Sequence, residues 1–217
     1  MSETHRIVAG VTVIETVPDG PRGKWQFVYA PGAGSNINDP FGVFACHALA
    51  AQGVPSARFQ FPYQQTGSRH SNHSAVLEGT WRAVLNTVRL SDANVVIGGR
   101  SMGGRVATTI VAAGADVAGL AAFAYPLHPP GHPEKARLAH LQAIIVPTLF
   151  CSGTRDTFGT QEELSAASHL VPNATVHMLD GADHGFAVPK RSERTKEEIY
   201  GEAVASLLAW ATEFVDV

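Results

Sequence analysis

Ser101 stands at the centre of Gly99-Arg100-Ser101-Met102-Gly103, directly after the apolar run Val95-Val96-Ile97 and directly before a segment of helical periodicity. A strand that turns this sharply into a helix pushes the central hydroxyl out at the end of the strand. Glycines two residues to either side avoid clashes with the neighbouring strand and helix. The same turn leaves the Met102 N–H unbonded at a helix N-terminus, where it can donate to an oxyanion. A serine hydroxyl is a weak nucleophile near neutral pH; it needs a base, and the base needs an orienting acid. Two later segments have the form of a strand followed by a turn. One runs from Leu149 to Asp156 and the other from Leu179 to His184. They leave room for two strand–helix units after Ser101 and then one, so Asp156 is the expected acid and His184 the expected base. Asp180 and Asp183 compete with Asp156, but their closeness to His184 along the chain makes it hard for either to face the ring. No acid directly follows the Leu120–Tyr125 segment. The second oxyanion donor is expected in Pro31-Gly32-Ala33-Gly34-Ser35-Asn36, with Ala33 or Gly34 as the donor. The competing reading of the elbow is a glycine-rich turn that binds a small anion.

Arginines cluster around these positions. Arg100 and Arg105 flank the elbow, Arg155 precedes the acid, and Arg58 and Arg69 bracket a polar loop. Guanidinium groups recognise carboxylate or phosphate in a bidentate fashion. Arg100, Arg155 and Arg58 are therefore candidate binders of an anionic substrate, such as an ester bearing a free acid. Against this stands a purely internal role, in which Arg100 and Arg105 bond to backbone carbonyls or to an acid such as Glu78. The histidine pairs His70/His73 and His128/His132 have no matching carboxylate or cysteine cluster, so neither metal nor organic cofactor is expected. Cys46 and Cys151 form no Cys-x-x-Cys pair and read as buried thiols.

These residues need a frame to hold them. Short β-rich runs alternate with amphipathic stretches: strands over 7–15, 25–30, 56–61, 94–97, 120–125, 147–151 and 175–179, and helices over 40–53, 75–90, 102–113, 160–170 and 195–214. Asp39-Pro40 opens the first helix as N-cap and first residue, and Gly53 stops it. The short connection between the first two strands suggests that they run antiparallel. Residues 62–72 read as polar and irregular. The pattern predicts a three-layer α/β/α sandwich, with a mostly parallel sheet of about seven strands in one domain over 1–217. The stretch between the 120–125 and 147–151 strands is too short for a cap domain, so a site beneath it should be open.

The 217 residues are 45% hydrophobic and 16% charged, a globular composition, and the formal net charge of −3 gives no basic surface for nucleic acid. No apolar run is long enough to span a membrane, and Met1–Arg6 lead straight into a β-like segment without the apolar core of a signal peptide. The expected setting is the cytoplasm.

Taken together, Pro31–Asn36, Gly99–Gly103, Asp156 and His184, in that order, resemble the α/β-hydrolase superfamily over nearly the whole chain. Phe59-Gln60-Phe61-Pro62-Tyr63, Gly98–Arg105 and Ala182-Asp183-His184 are also similar to a narrower group of small, cap-less hydrolases related to dienelactone hydrolases. That group includes the hydrolase-like domain of an NSL chromatin-complex subunit and its testis-expressed homologue. The resemblance implies a serine hydrolase of a small carboxylic ester or thioester, or a fold relative that keeps the residues as an interaction module. Two departures matter. Dienelactone hydrolases proper carry cysteine where Ser101 stands, and Pro31 opens the loop where many esterases have histidine.

Overall fold

A computed structural model describes residues 1–68 and 70–215. Among these residues eight strands form one sheet: β1 (Ser2–Val8), β2 (Val11–Val17), β3 (Trp25–Ala30), β4 (Ser56–Phe59), β5 (Asn94–Arg100), β6 (Gly119–Phe123), β7 (Thr148–Gly153) and β8 (Ala174–Leu179). Their order is β1-β2-β4-β3-β5-β6-β7-β8, parallel from β4 onward, with β1 and β2 antiparallel at one edge. The helices of the described residues are α1 (Pro40–Ala51), α2 (Pro62–Gln65), α3 (Ser74–Val88), α4 (Met102–Ala112), α5 (Gln161–Ser168) and α6 (Lys196–Val215).

The central strands are buried on both faces, so they read in sequence as continuous apolar runs rather than alternating ones. Val96 and Ile97 show the consequence. Val96 belongs to a core with α1 and α6 that also holds Phe41, Leu49 and Trp210. Ile97 belongs to the opposite core with α3 and α4, which also holds Trp81, Val106 and Ile110. The result is a three-layer α/β/α sandwich. Between β6 and β7 the described chain holds only two short 3₁₀ turns, Pro133–Lys135 and Leu141–Ala143, and no cap domain.

Two local expectations need correction. The run over 7–15 is not one strand but the hairpin of β1 and β2, turning at Ala9 (φ 49°) and Gly10 (φ 80°). Two successive left-handed residues make the tight turn that a right-twisted hairpin favours. Ala-Gly lacks the Asn or Asp that usually announces such a turn, and the hairpin raises the count from about seven strands to eight. The first two predicted strands do run antiparallel, as β2 and β3, although β4 lies between them. Finally, the strand predicted over 56–61 stops at Phe59. The polar segment after it begins with α2, capped where the Gln64 side chain accepts from the Phe61 N–H.

The order of the strands positions the chemistry. From β3 the chain passes through α1 to β4 on one side of β3, then crosses back to β5 on the other. The loops after β3 and β5 therefore leave adjacent strands in opposite directions and open a crevice at their carboxyl ends. Ala30 of β3 is paired in register with Gly99 of β5, so the Pro31–Asn36 loop and the Ser101 turn start side by side.

Candidate active site

Ser101 joins β5 to α4 with φ 53° and ψ −118°, a conformation that L-residues seldom adopt. Backbone bonds hold it there: its N–H donates to Phe123 O (2.8 Å) on β6, and its carbonyl accepts from Arg105 N (2.9 Å). The glycines around it allow α4 to lie almost on the sheet. A Cβ at Gly103 would come within 2.2 Å of Ala30 O, and one at Gly99 within 2.4 Å of the same oxygen. Gly98 and Gly104 are equally confined, by Ala121 O at 2.3 Å and Gly99 O at 2.5 Å, so the run is tighter than the Gly-x-Ser-x-Gly pattern alone requires.

The structure brings the three expected residues together. His184 Nε2 lies 2.9 Å from Ser101 Oγ, and His184 Nδ1 lies 2.8 Å and 3.0 Å from the two Asp156 oxygens. Asp156 follows β7 and is buried. Its Oδ1 also accepts from the Phe158 N–H (2.8 Å). A carboxylate only accepts, so it fixes the proton of a neutral His184 on Nδ1 and leaves Nε2 to accept from the Ser101 hydroxyl. The rival acids have other work. Asp183 Oδ1 accepts from Gly185 N and Ala187 N and shapes the turn that carries His184, while Asp180 lies near the Thr154 hydroxyl.

One contributor was not legible in the sequence. The Phe158 ring stacks on the His184 imidazole, with centroids 4.0 Å apart and planes 26° apart. Together with its N–H on Asp156, this makes Phe158 a support for both other members of the set. Only its place two residues after the acid could have flagged it.

The Pro31–Asn36 loop passes beside Ser101: a Cβ at Gly32 would sit 3.5 Å from Ser101 Cβ. Ala33 and Gly34 form an exposed turn closed by Ser35 N on Gly32 O (3.1 Å), and they line a cavity of about 320 Å³ with Tyr63, Gln64, Gly67 and Ser68. Among the described residues no acceptor takes the N–H of Met102, Ala33 or Gly34. The loop is clamped from α2. The Tyr63 hydroxyl donates to Ala33 O (2.7 Å), and the Gln64 amide donates to Gly32 O (2.8 Å) and to Tyr63 Oη (3.1 Å). Burial raises the Tyr63 phenol, against a smaller opposing effect of Gln64, so it remains a donor.

The same loop is held from below by a second buried carboxylate. Asp39 caps α1 through Gly42 N (3.0 Å) and also accepts from Tyr29 Oη (2.6 Å), Ser35 Oγ (2.9 Å) and an Arg100 amino group (2.6 Å). Burial alone would raise its pKa, but the Arg100 charge and the bonds from Tyr29, Arg100 and Gly42 outweigh that and hold it below its ordinary value.

Of the arginines singled out as anion binders, Arg100 is therefore engaged with Asp39 rather than Glu78. Arg58 is buried under the edge hairpin and pairs with Glu3 (2.8 Å), reaching Ile37 O as well. Arg155 bonds to Gly181 O (3.3 Å) at the surface. Arg69 lies outside the described residues. Cys46 and Cys151 are buried and unpaired, and burial pushes the Cys151 thiol up to about 12. His128 and His132 each face a single glutamate, Glu163 and Glu134, and no grouping of three potential metal ligands occurs among the described residues. No described helix is long and apolar enough to cross a membrane.

Residues 23–212 match a family described as an alpha/beta hydrolase domain. Solved structures share the fold at low identity. An alpha-beta serine hydrolase homologue from Coxiella burnetii superposes with a TM-score of 0.75 at 18% identity, over 95% of this chain and 97% of its own. A lidless serine hydrolase from Xanthomonas campestris gives 0.73 at 16%, over 97% and 95%. Est1E from Butyrivibrio proteoclasticus, solved with ferulic acid bound, gives 0.75 at 15%, over 96% and 99%.

Proposed function

Because the chain belongs to the alpha/beta hydrolase domain family, we propose that Ser101, His184 and Asp156 act as nucleophile, base and orienting acid in the hydrolysis of a carboxylic ester or thioester. The observation that carries the reading is the continuous path from Ser101 Oγ through both ring nitrogens of His184 to Asp156, each link between 2.8 and 3.0 Å. Neither hydroxyl nor imidazole is strongly reactive alone; aligned in this way, they are.

In the first half-reaction, Ser101 Oγ attacks the substrate carbonyl and His184 Nε2 takes its proton. Asp156 stabilises the imidazolium that results. The Met102 N–H and one N–H of the Ala33–Gly34 turn receive the negative charge that grows on the carbonyl oxygen. Such preorganised donors are worth several kcal/mol, on the order of 10²- to 10³-fold in rate for each one removed. His184 then returns the proton to the departing alcohol or thiol, leaving an acyl group on Ser101. In the second half-reaction water, deprotonated by His184, attacks the acyl carbonyl, and Ser101 leaves with the proton. The chemistry is complete with these side chains and water.

The test is intact-mass labelling with a fluorophosphonate, followed by a panel of short-chain esters and thioesters. Wild type should gain one adduct, while Ser101→Ala and His184→Ala should gain none. A folded wild type that takes no label, or a Ser101→Ala variant that labels equally, would overturn the assignment and favour a role as an interaction module.

A further inference from the structure

The arginines near Ser101 divide sharply by what they touch. Arg100 faces Asp39, and Arg155 faces a backbone carbonyl. Arg105, one helical turn beyond Ser101 on α4, has no hydrogen bond or ion pair through its guanidinium among the described residues. It is nevertheless half-buried. None of its side-chain nitrogens is sealed from solvent, so the guanidinium stands unpaired and within reach of an incoming anion.

Its neighbours leave its charge unpaired. Burial first, and then the charge of Arg137, push Arg105 below the usual arginine value, with Tyr125 and Glu78 opposing. Glu78, on α3, is beyond ion-pair distance. His140 is driven toward its neutral form by burial and by Arg105. Arg137, in the exposed loop after β6, likewise has no side-chain partner among the described residues. Two arginines thus share one neighbourhood with no paired acid. Helical side chains lean toward the N-terminus of their helix. Arg105 therefore leans toward the end of α4 where Ser101 sits. Tyr125, which it faces, lies two residues past Phe123, whose carbonyl holds the Ser101 N–H.

We propose that Arg105, with Arg137, forms an anion subsite beside Ser101, so that the substrate is an ester or thioester carrying a free carboxylate elsewhere in the molecule. The missing counter-ion of Arg105 is then supplied by the substrate. A carboxylate suits the planar fork of Arg105 in a way that a neutral chain does not. The proposal rests on Ser101 being the reacting residue.

Two readouts separate the two claims. Fluorophosphonate labelling reports on Ser101 alone. The anion subsite is read in two ways: from the ratio of kcat/KM for the 4-nitrophenyl monoester of glutaric acid over that for 4-nitrophenyl butyrate, and from calorimetric binding of glutarate to Ser101→Ala. Arg105→Gln should lower the ratio about 10- to 100-fold and weaken glutarate binding by a similar factor, while Arg105→Lys should recover part of both. Arg137→Gln, at an exposed position, should lower the ratio less. Arg22→Gln, an exposed arginine in the turn that precedes β3, serves as the control for net charge. An unchanged ratio, or glutarate binding that is absent or equal with and without Arg105, overturns the subsite whatever the labelling result.

Discussion

Two buried carboxylates flank the Ser101 turn, and they hold partners of opposite kind. Asp156 is 4% exposed and Asp39 is 1% exposed; each is held by hydrogen bonds at both oxygens. Asp156 faces His184, whose side chain is 22% exposed and turns its other ring nitrogen to Ser101. Asp39 faces Arg100, a fixed cation locked beneath the Pro31–Asn36 loop. In the proposed mechanism the first carboxylate supports a charge that comes and goes during each turnover. The second offsets a charge that never leaves. Burial depth alone does not distinguish them; the ionisation of the partner does.

The largest expected effect sharpens this contrast. Asp156→Asn keeps the shape but lets the imidazole settle in the wrong tautomer, and kcat should fall on the order of 10⁴-fold with little change in melting temperature. Ester hydrolysis paired with thermal melting checks it, and comparable losses in both would erase the distinction. Next comes Asp39→Ala, which strands Arg100 in the interior. It should cost about 3–5 kcal/mol of stability and lower Tm by roughly 10 °C. Adding Arg100→Met should restore part of that loss, a double-mutant cycle read by urea denaturation. A smaller effect is expected from Tyr63→Phe. Removing its bond to Ala33 O should cost about 1 kcal/mol and reduce kcat several-fold more than KM, since it loosens a donor for the transition state.

The smallest effect is in acid. Because the Asp39 pKa is depressed in the folded chain, its contribution is full above the ordinary carboxylate value of about 4 and is lost as the pH falls through the depressed one. The stability difference between wild type and Asp39→Asn should therefore be constant near neutrality and shrink below about pH 4. A difference that grew on acidification would reverse the sign and break the argument.

The two carboxylates also differ in how readily the sequence gives them up. Asp156 is legible because parallel strands end at one edge of the sheet, so an acid just after one strand and a histidine just after the next must lie near each other. Ser101 is legible for the same reason, with glycines on either side that only a tight strand-to-helix turn explains. Asp39 is legible only as the cap of α1, from the Asp-Pro pair; its grip on Arg100, Tyr29 and Ser35 joins segments whose spacing carries no period. Phe158 and the Tyr63–Gln64 clamp are hidden likewise, because stacking and side-chain bonds to a loop leave no repeat in the chain. The edge hairpin escaped because its turn, Ala9-Gly10, sits inside an unbroken β-forming run.

The pairing of Ala30 with Gly99 has a consequence for heat. The loop that precedes α1 and the turn that carries Ser101 are set side by side by main-chain bonds between the two middle strands, and the Tyr63, Gln64 and Asp39 side chains then hold the loop in place. Their alignment should therefore last as long as β3 and β5 stay zipped. Amide hydrogens of these strands should exchange only by global opening, and on heating catalytic competence should vanish together with the whole fold rather than ahead of it.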